Sequence, residues 1–235
     1  MNTVDWTAWR PQTGEPETEG LREQKKRLLR QRLSDTATEM FMERGFDAVR
    51  VAEIARVCGV SEKTVFNYFP TKESLILDQG EATMAALRTG LADPDHSPVE
   101  AALRILAAEL RALTSWISAQ DDPGRAAAMI RRFGALTRST PSLRAYHRDM
   151  TDRLVTAAAE ALARRTGRSP DDPEPQIAAT ALLGLWAIQF RSLGKHLDGS
   201  RTAARVHEAV TADVRRAAKL IDTGLASFEG AAPTR

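Results

Sequence analysis

At Ser97-Pro98, Asp122-Pro123, Thr140-Pro141 and Asp172-Pro173 a residue able to cap a helix stands directly before a proline that opens a run of helical pattern. Proline at a first helical position loses no hydrogen bond, because the amide there has no intrahelical partner, and its fixed φ already suits the helix. The side-chain oxygen before it accepts from an amide further along the first turn. Ser97-Pro98-Val99-Glu100 is the fullest instance, with Glu three residues after the cap. Four helix starts are thereby set. A further helix is expected from Thr71 to the stop at Asp93-Pro94, and a last one from near Gly199-Ser200 with Val206, Val210, Val214, Ala217, Leu220 and Ile221 on its apolar stripe. Alanine, leucine and arginine dominate, and aromatic residues are only 6%. The expected fold class is all-α, with about nine helices and no strand.

Hydrophobic residues at 43% suffice for a substantial core in 235 residues. No apolar run reaches the roughly 18 residues that span a bilayer, and residues 1–20 lack a signal-peptide pattern. The expectation is a cytoplasmic protein with no membrane contact. Cys58 is the only cysteine, which excludes an intrachain disulfide or a cysteine-based zinc cluster; beside a turn it reads as inert packing rather than a redox switch. His96, His147, His196 and His207 show no i, i+4 pairing, so no metal, no cofactor and no enzymatic activity are expected.

Net charge is only +2, but its distribution is uneven. Residues 1–20 read as an acidic, unpatterned arm, whereas Arg22, Lys25, Lys26, Arg27, Arg30 and Arg32 crowd the start of the first helix. That helix, from about Gln24 to Arg44, carries Leu29, Leu33, Ala37, Met40 and Phe41 as a stripe ending at Gly45. Two short helices follow, at 51–60 and 61–69. A helix-turn-helix needs a small residue on its first helix, a glycine in the turn and apolar anchors on both. Ala55, Gly59, and the set Ile54, Val60, Val65 and Phe69 supply them. Ser61, Glu62, Lys63, Thr64, Asn67 and Tyr68 would then face outward, with groups able to reach base edges and phosphates in a major groove.

The longer string GFDAVRVAEIARVCGVSEKTVFNYFPTKESLI resembles the DNA-binding domain of the tetracycline-repressor (TetR) family over about residues 25–78. The resemblance implies base contacts near Lys63, Thr64 and Asn67, and phosphate contacts from Ser61, Tyr68 and Lys72. Lys25 and Arg50 complete the expected DNA-binding set. Arg50 stands where the family commonly has threonine, so a hydroxyl cap is replaced by a guanidinium that can instead hold a phosphate. Lys63 stands where the family often has glycine.

The expected organisation is an arm (1–20), a helix-turn-helix domain (21–70) and a helical effector-binding and dimerisation domain (71–235). The resemblance implies double-stranded operator DNA as partner, a homodimer through the last two helices, and repression relieved by a small-molecule effector. Ala178, Ala179, Ala181, Gly184 and Ala187 are small enough for close helix approach between subunits; a helix pair buried within one subunit is the alternative. Trp116, Met129, Phe133, Tyr146, Met150, Trp186 and Phe190 are the candidate lining of an effector pocket. The stretch from Arg138 to Gly184 is similar to domains classed with acyl-coenzyme-A-like ligands, and Arg131, Arg132 and Arg144 are either receptors for its phosphates or surface residues. A helical interaction or scaffold protein without sequence-specific DNA binding is the alternative function.

Overall fold

The computed structural model describes residues 20–77 and 80–225. Among them are ten α-helices and no strand. They are α1 (Leu21–Arg44), α2 (Val51–Cys58), α3 (Glu62–Tyr68), α4 (Ser74–Leu77) and α5 (Gly80–Gly90), then α6 (Pro98–Ser118), α7 (Pro123–Ser139), α8 (Pro141–Thr166), α9 (Pro173–His196) and α10 (Ala203–Leu225). The all-α expectation holds. The expected arm lies outside the described residues apart from Gly20, and the helix expected from Thr71 is described as α4 and α5, with 78–79 outside.

The cap-proline signals each begin a helix, by different local chemistry. Ser97 Oγ accepts from the Glu100 amide at 3.2 Å while Glu100 accepts from the Ser97 amide at 3.0 Å, a complete reciprocal cap. Asp122 accepts from the Arg125 amide at 2.9 Å. Asp172 makes no cap bond to α9; its carboxylate turns back to the Ser169 amide at 3.0 Å and closes the preceding loop instead. The last helix starts at Ala203, later than the sequence suggests, because Gly199 takes φ 89° and the Ser200 amide and hydroxyl bond to Asp198.

The chain forms two compact units. The first comprises the described residues of Met1–Gln79 together with Arg132–His147. Its core holds Leu33, Ala37, Phe41, Phe46, Val49, Ile54, Ala55, Val65, Phe69, Leu75, Ile76 and Leu143, with Phe133 and Leu136 packed against it. Cys58 is buried there as a free thiol. The second unit comprises the described residues of Gly80–Arg131 and Arg148–Arg235. In it α10 packs on α9 and α6, and α6 on α5 and α9.

Helix α9 has the length and apolar composition to cross a membrane, although 33% of that window is buried within the protein. Two faces explain its apolarity. Ala178, Ala179, Leu182, Leu183 and Leu185 point inward. Ile177, Gly184 and Ala187 lie exposed on the other side. The small residues are therefore divided: Ala178 and Ala179 serve the subunit's own core, while Gly184 and Ala187 face out.

Candidate nucleic-acid interface

The turn between α2 and α3 depends on Gly59, at φ 70° and ψ 30°. A side chain there would pay the left-handed penalty, and the glycine avoids it. Its amide closes onto the carbonyls of Ala55 and Arg56, and the Val60 amide bonds to Ala55 at 3.0 Å. Ser61 caps α3 by accepting from the Thr64 amide at 3.1 Å, and its hydroxyl also lies 2.8 Å from that of Thr64. These two hydroxyls, both expected at DNA, hold each other and the helix start.

Val65 and Phe69 are buried, fixing the inner face of α3. Glu62, Lys63, Phe66 and Asn67 are exposed, and Thr64 and Tyr68 lie half-buried on the flank. Lys63 and Asn67 are one turn apart on the same side of the helix. Phe66, 43% exposed between them, is a functional candidate that the sequence reading missed. Its signal was available: one residue after the buried Val65, it cannot share the inner face of the same short helix. A phenyl ring there can pack on thymine methyl groups, where an amide or ammonium cannot.

Two further devices set the position of this face. Arg30 of α1 donates to the Tyr68 carbonyl at 2.7 Å, and its guanidinium lies 4.6 Å from the Phe69 ring centre. Glu53 accepts from Arg44 at 2.8 Å and from the Arg50 amide at 3.0 Å, tying the end of α1 to the start of α2. The Arg44 hydrogen bond, and then that of the Arg50 amide, hold the Glu53 carboxyl below the usual carboxylate range. Arg50 itself makes no side-chain cap and stays exposed. Lys25 is exposed on α1. Lys72 is half-buried, its ammonium 4.4 Å from the Phe46 ring centre and 5.6 Å from that of Phe41, and burial lowers its pKa. The two rings hold the charge in one place at the edge of the unit.

The expected effector residues fall in both units. Phe133 and Tyr146 belong to the first, where Phe133 packs on the helix-turn-helix core. Trp116, Met129, Met150, Trp186 and Phe190 belong to the second. Trp116 is buried, Met129, Met150 and Trp186 are half-buried, and Phe190 is exposed. The Met150 thioether occupies the space a β-carbon at Gly80 would fill. Trp186 donates its indole N–H to Glu109 at 3.0 Å, and Thr83 donates to the other oxygen of that carboxyl at 2.8 Å. Glu109 and Thr83 carry no family or motif signal, and the sequence reading passed over them.

Three helices, the last two joined through a left-handed glycine, with polar groups displayed on the second short helix, define a helix-turn-helix DNA-binding module of a transcription regulator. Residues 33–78 match the model for bacterial regulatory proteins of the tetR family, and residues 123–215 match the MftR C-terminal domain. The chain is 31% identical over 154 residues to the putative mycofactocin biosynthesis transcriptional regulator MftR of Mycobacterium tuberculosis, covering 65% of this chain and 73% of that protein. It is 27% identical over 200 residues to the regulator AqdR of Rhodococcus erythropolis, covering 84% and 89% respectively. Among solved structures, the FadR repressor of Thermus thermophilus in complex with lauroyl-CoA aligns with TM-score 0.44 and 24% identity, over 88% of this chain and 98% of that one. The chain belongs to the TetR family of transcriptional regulators. These relatives are regulators and not enzymes, in line with the sequence reading.

Proposed function

We propose that the protein is a cytoplasmic repressor that binds a palindromic operator as a homodimer and leaves it when a small, largely apolar effector enters the second unit. The observation that carries the DNA reading is the side-by-side exposure of Lys63, Phe66 and Asn67 on a helix whose other face is buried. Lys63, Thr64, Phe66 and Asn67 would meet base edges. Lys25, Arg50, Ser61, Tyr68 and Lys72 would meet phosphates.

The dimer reading is supported by the outer face of α9 and α10. Ile177 is 67% exposed and Leu220 86%, and Gly184 and Ala187, exposed on α9, leave room for a partner helix. Two recognition helices must sit roughly 34–36 Å apart to enter successive major grooves. An effector that binds better to a dimer with another spacing lowers operator affinity by its differential affinity for the two forms.

An acyl-coenzyme-A-like effector would require a receptor for its phosphates. Arg131 donates to the Asp198 carbonyl and Arg144 to those of Arg138 and Ser139, which directs both guanidiniums at the protein's own backbone. Arg132 is exposed and is the remaining candidate to meet such phosphates. Selection of bound sequences from random duplexes at stated ionic strength tests the operator reading; enrichment of a palindrome supports it. Recovery of no preferred sequence, with binding indifferent to salt, would favour the scaffold reading instead.

A further inference from the structure

Glu109 is an acid set among apolar helices. It projects from α6 and is held from two sides, by Thr83 of α5 at one oxygen and by Trp186 of α9 at the other. Both partners are neutral, and burial pushes its carboxyl up. Each carboxylate oxygen has a second lone pair to offer. An ionised group taken out of water without a counter-charge costs stability, and an apolar residue of the same volume would avoid that cost. Groups kept at such a cost are concentrated where a ligand supplies what is missing.

The residues around it combine a flexible thioether with an indole ring. Thr83 and Gly80 are three residues apart and share one face of α5. The Met150 thioether, from α8, fills the space beside Gly80. Methionine is the side chain that most easily vacates and refills an irregular gap. Trp186 turns the N–H edge of its indole to the carboxylate, which brings an aromatic ring into the neighbourhood, and a desolvated cation gains from an aromatic face. Thr83, Glu109, Met150 and Trp186 all retain partial exposure, so none is sealed into the core.

We propose that Glu109 anchors the protonated amine of an apolar effector, with Thr83 and Trp186 aiming its carboxylate and Met150 holding the effector's place along α5. The assignment rests on the reading that the second unit receives the effector, and narrows that effector's class. The amine becomes the missing counter-charge, and its apolar body displaces the methionine. An anionic head group would instead meet a carboxylate of its own sign.

The test uses the purified full chain and matched trios of arylalkyl amine, alcohol and carboxylic acid, from benzyl through naphthylmethyl to biphenylmethyl, titrated by calorimetry at neutral pH. Each amine that binds is expected to exceed its alcohol in affinity by about tenfold or more, with the acid weakest. Glu109→Gln is expected to bring amine and alcohol to equal affinity. Thr83→Val, which removes one bond orienting the carboxylate, is expected to weaken the amine several-fold. If Glu109→Gln fails to fold, the order within the trios on the unmodified chain still decides. Equal affinity across each trio, or failure of every amine to bind at millimolar concentration, overturns the assignment. Operator retention by the same ligand-free preparations is measured alongside, so a chain that holds its operator but ignores amines sinks this inference and leaves the regulator reading standing.

Discussion

The guanidinium of Arg30 spans 38 residues of sequence to donate to the carbonyl of Tyr68 at 2.7 Å, and the same group sits over the ring of Phe69. A residue from the basic cluster on α1 thus anchors the end of α3 instead of standing ready for phosphate. A charge-assisted hydrogen bond to a buried-edge carbonyl, with a ring beneath, contributes about 2 kcal/mol. Arg30→Ala is expected to lower the melting temperature and weaken binding to every duplex, while the dependence of log affinity on log salt stays unchanged. Lys25→Ala is expected to leave the melting temperature alone and reduce that slope by about 1. Thermal melts and salt-titrated binding distinguish the two.

Lys72 and Asn67 should separate in the same way along another axis. Lys72 is fixed over Phe46, where it is a point charge with no view of base identity. Lys72→Ala is expected to weaken all duplexes uniformly and flatten the salt slope. Asn67→Ala is expected to cost about 1–3 kcal/mol at one base position and relax preference there. Competition binding against a set of single-base operator variants reads both effects.

Phe66 gives a sharper test because its contribution is independent of charge. Phe66 is exposed between Lys63 and Asn67, and on the proposed reading its ring would favour thymine through the methyl group. Phe66→Ser is expected to lower affinity for the preferred operator by about tenfold, and replacing the contacted thymine by uracil should produce a similar loss in the unmodified protein but none in the variant. Equal loss in both proteins would assign the methyl group to another residue.

Helix-turn-helix features were legible in the sequence because each is a local requirement: a small residue, a left-handed glycine, buried anchors at i and i+4. Ala55, Gly59, Ile54, Val65 and Phe69 could be placed without knowing anything distant. Cap-proline pairs were legible for the same reason, though Asp172 shows the limit: the same residue type serves the loop before it when a suitable amide, here Ser169, lies closer to its carboxylate. The contacts that were not legible join distant segments. Arg30 with Tyr68, and Glu109 with Thr83 and Trp186, are pairings that only the packed chain reveals. Phe133 illustrates the converse, an aromatic residue read as pocket lining that packs on the first unit's core because α7 enters that unit at Arg132.

Asp213 predicts a pH dependence. Its carboxylate accepts from Ser192 at 2.7 Å, lies 3.0 Å from His196, and pairs with Arg216, and these contacts bring its pKa down to about 2. A carboxyl whose pKa is lower in the folded state contributes stability above its unfolded value, near 3.8. That contribution is lost as pH falls from about 4 to 2. Asp213→Asn is therefore expected to melt at lower temperature than the unmodified protein at pH 7, with the difference shrinking through that window and vanishing at its acid end. A constant difference from pH 7 to pH 2 would show that the side chain acts through packing instead.

The proposed assembly can be tested at the outer face of α9. Gly184 is exposed with no heavy atom near the place its β-carbon would occupy, so within one subunit a larger side chain there costs nothing in packing. In a dimer that uses this face the same position lies where the backbones approach, and bulk forces them apart. Gly184→Leu is expected to leave the helical content and the melting of the monomer intact, to raise the dimer dissociation constant by about a hundredfold, and to abolish cooperative binding to a two-half-site duplex while sparing weak binding to a single half-site. Sedimentation equilibrium and gel shifts on full and half operators read these outcomes. If Gly184→Leu sediments as the same dimer and still binds both half-sites cooperatively, the two subunits meet through another surface, and the apolar residues Ile177 and Leu220 require a different partner.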